Sequence, residues 1–151
     1  MIKIEDFKKI NSKKTRLIGL DLGSKRIGVS ICDEKRLIAT PFKTIHKTTG
    51  KNLIEQIREI IEENDIGGII VGNPLNMDGT AGRSAQSVND VIRNIKDIID
   101  IPIILWDERL STVGAFNLSS QIDVSVSKRE KKIDENAAAF ILQGAIDYLN
   151  N

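Results

Sequence analysis

The sequence predicts an α/β domain with a mixed five-stranded sheet, in which three antiparallel strands precede the parallel ones, and with helices on both faces. Three apolar, β-rich runs separated by short breaks fill the first third of the chain, which is typical of consecutive hairpins. Helical and strand-like segments then alternate, which predicts parallel strands joined by right-handed crossovers. With 151 residues, of which 40% are hydrophobic, the chain is long and apolar enough for one folded core.

The antiparallel part begins with "RLIGLDLG" and "RIGVSICD", two strand-like runs separated by a short break that contains Gly and Ser. "RLIATPFKTI" predicts a third strand, in which Pro41 is tolerated only at a sheet edge or a bulge. Residues 1–16 form a polar lead-in with a few apolar anchors and a predicted short helix. Residues 17–151 are expected to form the single domain.

The later part of the chain predicts two further strands and four helices, in the overall order β-β-β-α-β-α-β-α-α. Apolar residues at helical spacing mark the first of these helices, and short apolar runs bounded by turn residues mark the strands. In chain order, the segments are "KNLIEQIREIIEEND" (helix), "IGGIIVGNP" (strand), "AGRSAQSVNDVIRNIKDII" (helix), "IPIILWDE" (strand), "STVGAFNLSS" (a short helix capped by Ser111), residues 119–132 (a polar loop) and "DENAAAFILQGAIDYLN" (helix).

Composition excludes several classes of protein. No apolar run is long enough to span a membrane, and residues 1–16 contain no apolar core of signal-peptide length, so we expect a cytoplasmic protein without a membrane partner. The single Cys32 fits a reducing compartment. A zinc site is not expected because His46, predicted to lie at the surface, is the only histidine.

Charge is nearly balanced overall, at +1, but it is unevenly distributed. Residues 1–36 contain ten Lys and Arg against five Asp and Glu, and a second basic cluster, "KREKK", occupies residues 128–132. These patches fit a phosphate-binding rim, or simply a solvated lysine-rich surface.

Asp21 interrupts the apolar run of the first predicted strand. Strand alternation puts it on the same face as Gly19 and opposite Leu20 and Leu22. A buried carboxylate needs a cation, a metal ion or several N–H donors. The alternative is a turn-capping Asp that accepts hydrogen bonds from the backbone of Gly23 and Ser24.

Two other segments carry acids at informative positions. Asp107 and Glu108 follow the last strand, and because they point to opposite faces, only one of them can serve a site at that edge; both could instead be acids that favour the start of the next helix. Asp134 shares one helical face with Ala138 and Ile141. It is either aimed at the sheet or an N-cap, and a capping box formed by Ser127 and Glu130 would place it mid-helix.

Carboxylates from three distant segments at one sheet edge indicate a site for Mg²⁺ or Mn²⁺, which prefer carboxylate oxygens. Two such ions about 3.5–4 Å apart can activate water and stabilise the leaving oxygen in phosphodiester hydrolysis. The loop "VGNPLNMDGTAGRS" could present backbone N–H groups and Arg83 to a phosphate, or be no more than a long connection between a strand and a helix.

Four motifs, "GLDLGSKRIGVS", "VGNPLNMDGT", "WDERLST" and "KIDENAAAFILQGAIDYL", together resemble the YqgF family. These are bacterial ribonuclease H-like proteins described as pre-16S ribosomal RNA nucleases or Holliday-junction-resolvase-like proteins. The resemblance runs from about Leu17 to Leu149 and implies a ribonuclease H-like fold. It implies a metal-dependent site of Asp21, Glu108 and Asp134. Asn73 departs from the family pattern, which usually has Leu there.

The function that the resemblance implies is a Mg²⁺- or Mn²⁺-dependent endonuclease in ribosome biogenesis, acting on the 5′ end of pre-16S ribosomal RNA or on branched DNA. The cations Lys25, Arg26, Arg83 and Arg109 would neutralise backbone phosphates. A second hypothesis is a nucleic-acid-binding assembly or transcription factor that does not cleave, although a polyanion binder gains nothing from clustered carboxylates. A third is an ATPase of the actin type, which would need a second such domain and a second phosphate loop.

Overall fold

The structure, a computed structural model, describes residues 2–10, 15–23, 25–46, 52–73, 83–107 and 126–150; for residues 83–87 and 126–135 the description covers the backbone alone. The helices are α1 (Ile4–Ile10), α2 (Leu53–Asn64), α3 (Arg83–Ile98) and α4 (Val126–Asn150). The strands are β1 (Arg16–Leu22), β2 (Arg26–Cys32), β3 (Ala39–His46), β4 (Ile66–Asn73) and β5 (Ile103–Asp107).

The five strands form one mixed sheet in the order β3-β2-β1-β4-β5. The pairs β1–β2 and β2–β3 are antiparallel, whereas β1–β4 and β4–β5 are parallel, which confirms the predicted fold class. Pro41 lies in edge strand β3, where the register shifts between Val29 and Ser30 of β2. Edge and bulge therefore both accommodate the missing N–H of Pro41.

Helices α2 and α3 cover one face of the sheet, and α1 and α4 cover the other. Alternation along each strand sends one set of side chains to each face. The α2/α3 core contains Ile18, Leu20, Ile27, Val29, Ile45, Ile54, Ile57, Ile60, Ile61, Ile66, Ile69, Val71, Val88, Ile92, Ile95, Ile99 and Ile103. The α1/α4 core contains Ile4, Phe7, Leu17, Cys32, Ile70, Ile104, Ile141, Leu142, Ala145 and Ile146.

The ends of α2 show how local sequence fixes an element. The side chain of Asn52 accepts a hydrogen bond from the Ile54 N–H at 2.8 Å and so caps the helix start. Asp65 ends the helix in the left-handed region, with φ of 53°, and its N–H donates to the carbonyl of Ile61. Strand β4 begins at the next residue, so the chain reverses without a longer loop.

The N-terminal segment packs against the second face of the sheet. The N–H of Ile2 donates to the carbonyl of Ile103 at 3.1 Å, and Ile2 forms a parallel bridge with Ile104 at the outer edge of β5. Phe7 of α1 is fully buried, and the guanidinium of Arg36 lies 5.7 Å from the centre of its ring. The polar lead-in thus contributes core side chains.

Cys32, the free thiol, belongs to the α1/α4 core. The N–H of Leu17 donates to its Sγ at 3.1 Å. Burial raises the pKa of the Cys32 thiol, and the hydrogen bond from Leu17 only partly opposes that shift. Cys32 is therefore a packed, protonated core residue at neutral pH.

Helix α4 begins earlier than the sequence suggests. The prediction of a loop over residues 119–132 was wrong for 126–132, because α4 begins at Val126; residues 119–125 lie outside the described residues. The predicted short helix after Ser111 also lies outside them. The predicted final helix, Asp134–Asn150, is confirmed as the later part of α4.

Helix α4 approaches β1 most closely at Gly19. A Cβ added at Gly19 would lie 2.8 Å from the Ala138 carbonyl oxygen, 2.8 Å from the Leu142 Cβ and 2.5 Å from the Ser30 Oγ. The buried Ser30 hydroxyl donates to the Ala138 carbonyl oxygen at 2.7 Å. The absence of a side chain at Gly19 lets the helix backbone and the strand touch.

The variant Gly19→Ala is expected to destabilise the protein by about 2 kcal/mol, since the added methyl group must displace helix backbone. Urea unfolding followed by circular dichroism measures the change. Lys96→Ala, on the exposed side of α3, is the control and should stay within about 0.5 kcal/mol of the wild type. Equal stability of Gly19→Ala and the control would contradict the close packing.

Candidate metal centre

Asp21 lies one residue before the end of β1, at the carboxyl ends of the parallel strands. It pairs with Gly28 of β2. Leu20 pairs with Val71 of β4, so the next position along β4, Gly72, lies level with Asp21 on the other side. Glycine therefore occupies both positions lateral to Asp21, so neither of these two neighbours carries a side chain.

The face on which Asp21 lies is the face covered by α4. Gly19, two residues earlier, contacts Ala138 and Leu142, whereas Leu20 belongs to the α2/α3 core. The predicted sharing of a face by Asp21 and Gly19 is confirmed by this arrangement. Asp21 is partly buried.

For the turn-capping alternative, one of the two predicted donors is already engaged. The N–H of Gly23 donates to the carbonyl of Arg26 at 2.9 Å, so that donor is used to close the hairpin. Ser24, the other predicted donor, lies outside the described residues. Asp21 itself is part of the paired strand.

Asp107 ends β5 and pairs with Asn73 of β4. Leu105 packs against the α2/α3 core, and Trp106 packs against the α1/α4 core. Alternation therefore assigns Asp107 to the face opposite Asp21. Glu108 and Arg109, the next two residues, lie outside the described residues.

Asp134 belongs to α4, eight residues after its first residue, Val126. The N-cap interpretation of Asp134 is therefore wrong, and the mid-helix alternative holds. Ala138 comes one turn later and contacts β1 at Gly19. Ala138 and Ile141, with which Asp134 shares a helical stripe, are fully buried against the sheet. The backbone of α4 thus places Asp134 one turn from its crossing over the strand that carries Asp21.

The predicted phosphate-binding cations are only partly described. Lys25 is exposed in the β1–β2 turn, and Arg26 begins β2, four positions after Leu22 ends β1. Register places His46, an exposed residue that the sequence assigned only to the surface, opposite Arg26. Arg83 is the first residue of α3, with its side chain outside the described residues, and all of residues 74–82 lie outside them too.

The donor chemistry at this edge fits Mg²⁺ or Mn²⁺ better than zinc. In the parts of the chain that the structure covers, no group of three or more His, Cys, Asp or Glu side chains could hold a metal ion. Glu108 and the side chain of Asp134 are outside those parts. His46 pairs with Arg26 at one end of β2, and Cys32 lies at the other end of that strand. These two positions are six residues apart along β2, which is about 20 Å, so His46 and Cys32 cannot share a zinc ion.

Acidic side chains also lie close together at the opposite end of the parallel strands, where β1 and β4 begin. Glu34, Glu63 and Asp65 line a cavity of about 450 Å³ together with Arg16 and Thr15. Nearby, the carboxylate of Asp33 accepts hydrogen bonds from the N–H groups of Leu37 and Ile38, which lower the pKa of Asp33. That carboxylate is a turn cap.

Comparison with known proteins places this chain in a family. The RuvX model, described as Holliday junction resolvase, matches residues 15–148. A protein of Pelagibacter ubique (strain HTCC1062) named "Putative pre-16S rRNA nuclease" is 73% identical over 151 residues, which is 100% of each chain. A protein of the same name from Chelativorans sp. (strain BNC1) is 42% identical over 149 residues, covering 99% of this chain and 93% of the relative.

Solved structures share the fold at low sequence identity. Thermus thermophilus RuvC in complex with a Holliday junction substrate has a TM-score of 0.55 at 10% identity, covering 89% of this chain and 95% of the other. The fowlpox virus resolvase in complex with Holliday junction DNA has a TM-score of 0.51 at 14% identity, covering 90% and 97%. These neighbours are resolvases of the ribonuclease H fold, which confirms the fold that the sequence implied.

In the described parts of the chain, no helix combines the length and the apolar character needed to cross a bilayer.

The family model covers nearly the whole domain, and the two named relatives match over nearly their full lengths. The chain therefore belongs to the RuvX, or YqgF, family.

Proposed function

We propose that the protein is a divalent-metal-dependent endonuclease that hydrolyses phosphodiester bonds in structured nucleic acid, and that its substrate is the 5′ region of pre-16S ribosomal RNA. The observation that carries the proposal is the position of Asp21. A partly buried carboxylate stands between two glycine positions, on the sheet face that α4 crosses one turn after Asp134. The name of the 73% identical relative supports ribosomal RNA as the substrate.

The proposed ligand set is Asp21, Glu108 and Asp134. Because Asp107 is assigned to the opposite face, continued alternation would return Glu108 to the face of Asp21. This supports Glu108 over Asp107 as the acid from β5. The helical stripe that packs Ala138 and Ile141 on the sheet supports Asp134 as the third ligand.

Each carboxylate would hold Mg²⁺ or Mn²⁺ through oxygen atoms, as these ions prefer. When bound, the metal would supply activation of water and stabilisation of charge on the leaving oxygen. Cationic side chains of the protein would bind the substrate. Lys25 and Arg26, in the turn beside Asp21, would neutralise substrate phosphates together with Arg83 and Arg109, so binding should weaken as salt rises.

Branched DNA is the alternative substrate. The family model is described as Holliday junction resolvase, and the fold neighbours were solved with Holliday junction DNA. A ribosomal RNA precursor and a four-way DNA junction, offered separately to the same preparation with Mn²⁺, distinguish the two.

Asp21→Asn should lower the cleavage rate at least about 100-fold, since losing one preorganised charge at a reacting centre costs that much. The measurement is a gel assay of precursor RNA cleavage with Mn²⁺, with folding checked by circular dichroism. Asp97→Asn, an exposed acid of α3, is the matched control and should cleave like the wild type. Unchanged cleavage by Asp21→Asn would refute the proposed site.

Glu108→Gln and Asp107→Asn separate the two adjacent acids. The same assay should show a loss at least about tenfold larger for Glu108→Gln, because one lost metal ligand outweighs a change on the opposite face of the sheet. If Asp107→Asn causes the larger loss, the assignment of faces at the end of β5 does not extend to the site.

A further inference from the structure

A cavity of about 590 Å³ lies at the outer edge of β5, bordered by two aromatic rings. Trp106 and Tyr148 pack edge to face, with ring centres 6.4 Å apart and planes at 61°. The remaining wall is formed by the apolar residues Ile2, Ile4 and Leu105 and by the charged residues Lys3, Glu5 and Asp107. Its volume falls in the range of small-ligand sites. The chain has one Trp and one Tyr, and both line this cavity.

The packing around Trp106 holds the cavity open. The indole rests on α4 at Gly144, where an added Cβ would lie 3.0–3.1 Å from three of its atoms. The bridge between Ile2 and Ile104 fixes the N-terminal wall. Both walls are tied to the sheet, so the site is preformed.

The cavity adjoins the proposed metal centre. Trp106 pairs with Gly72, which lies level with Asp21, and Trp106 and Asp21 occupy the same face of the sheet. Two strand spacings separate their backbones, which is about 10 Å. A nucleotide chain held at Asp21 can therefore reach the cavity.

The lining combines aromatic surface with charged side chains of both signs. Lys3, Glu5 and Asp107 are part of the wall, and the Nζ of Lys8, outside the wall, lies 5.4 Å from the centre of the Tyr148 ring. Aromatic side chains on which bases stack are how proteins bind unpaired nucleotides without strict sequence preference. The two rings offer stacking surface, the carboxylates can accept hydrogen bonds from the N–H groups of a base, and the continuity with the proposed metal centre favours a base of the substrate as the occupant.

We infer that this cavity binds an unpaired base of the substrate, next to the bond that is cleaved. The inference rests on the proposed nuclease function and specifies its substrate class: nucleic acid with a single-stranded segment at the cleavage point. Base contacts of this kind are typical of RNA recognition, where unstacked bases pack on aromatic side chains.

Trp106 supplies its own probe because it is the only tryptophan. Tryptophan emission is followed while a short single-stranded RNA is added to the full chain in EDTA, so that no cleavage occurs. The expected result is saturable quenching by the single strand and little or none by a blunt duplex of the same sequence. Anisotropy of a fluorescein-labelled copy of the RNA measures binding independently.

Variants of Tyr148 test the pocket without removing the probe. Tyr148→Leu should weaken single-strand binding about tenfold, since one aromatic stacking partner is lost, and Tyr148→Phe should restore most of it. Phe42→Leu, an exposed aromatic on the opposite edge strand, is the control and should bind like the wild type.

The outcomes separate the two proposals. Normal anisotropy binding with unchanged Trp106 emission, or equal affinity of Tyr148→Leu and the wild type, would overturn the pocket assignment and leave the nuclease proposal standing. Loss of cleavage in Asp21→Asn with quenching retained would support both. No anisotropy change with any nucleic acid would overturn both.

Discussion

The contact between α4 and β1 at Gly19 sets the point at which the last helix crosses the sheet. With no side chain there, the Ala138 carbonyl comes close enough to accept the buried hydroxyl of Ser30. This hydrogen bond ties the helix to the second strand as well as the first, in surroundings where an unpaired Ser30 hydroxyl would be costly. The crossing point fixes what lies on either side of it along α4: Asp134 one turn before, and Gly144, which supports Trp106, less than two turns after.

Acidic residues at the two ends of the strands have different roles. At one end the Asp33 carboxylate receives two backbone N–H groups, which lower its pKa; because the folded-state value lies below the unfolded one, the contribution to stability is present above the ordinary pKa and is lost as pH falls through the lowered value. At the other end of the strands Asp21 stands between two glycine positions, and we propose that a metal ion binds there. The protein therefore separates a structural carboxylate from the proposed catalytic one.

The buried faces of the strands and of α4 could be predicted from the sequence because they depend on local periodicity. Alternation alone gave the face of Asp21, and the 3.6-residue stripe gave the buried side of α4 through Ala138 and Ile141. The early start of α4 could be predicted only as an alternative, because residues 127–132 are polar enough to fit a loop although their Lys, Arg and Glu also favour a helix. The capping box of Ser127 and Glu130 was the available signal.

Other features depend on contacts between distant segments. Which face Asp107 takes follows from the sides on which Leu105 and Trp106 pack, and that requires knowing where α4 lies. The cavity beside Trp106 needs an N-terminal residue, an edge strand and the last helix together. No window of sequence contains these three, so neither feature could be found before the fold was known.

We propose that a divalent cation binds beside Asp21 at the carboxyl end of β1. Paramagnetic broadening of backbone amide resonances by Mn²⁺, at substoichiometric concentration and without nucleic acid, tests this binding directly. Broadening is expected to centre on Asp21, Gly28 and Gly72 and to be lost in Asp21→Asn. Broadening centred instead on Glu63 and Asp65 at the opposite end of the strands, and unchanged in Asp21→Asn, would contradict this proposal.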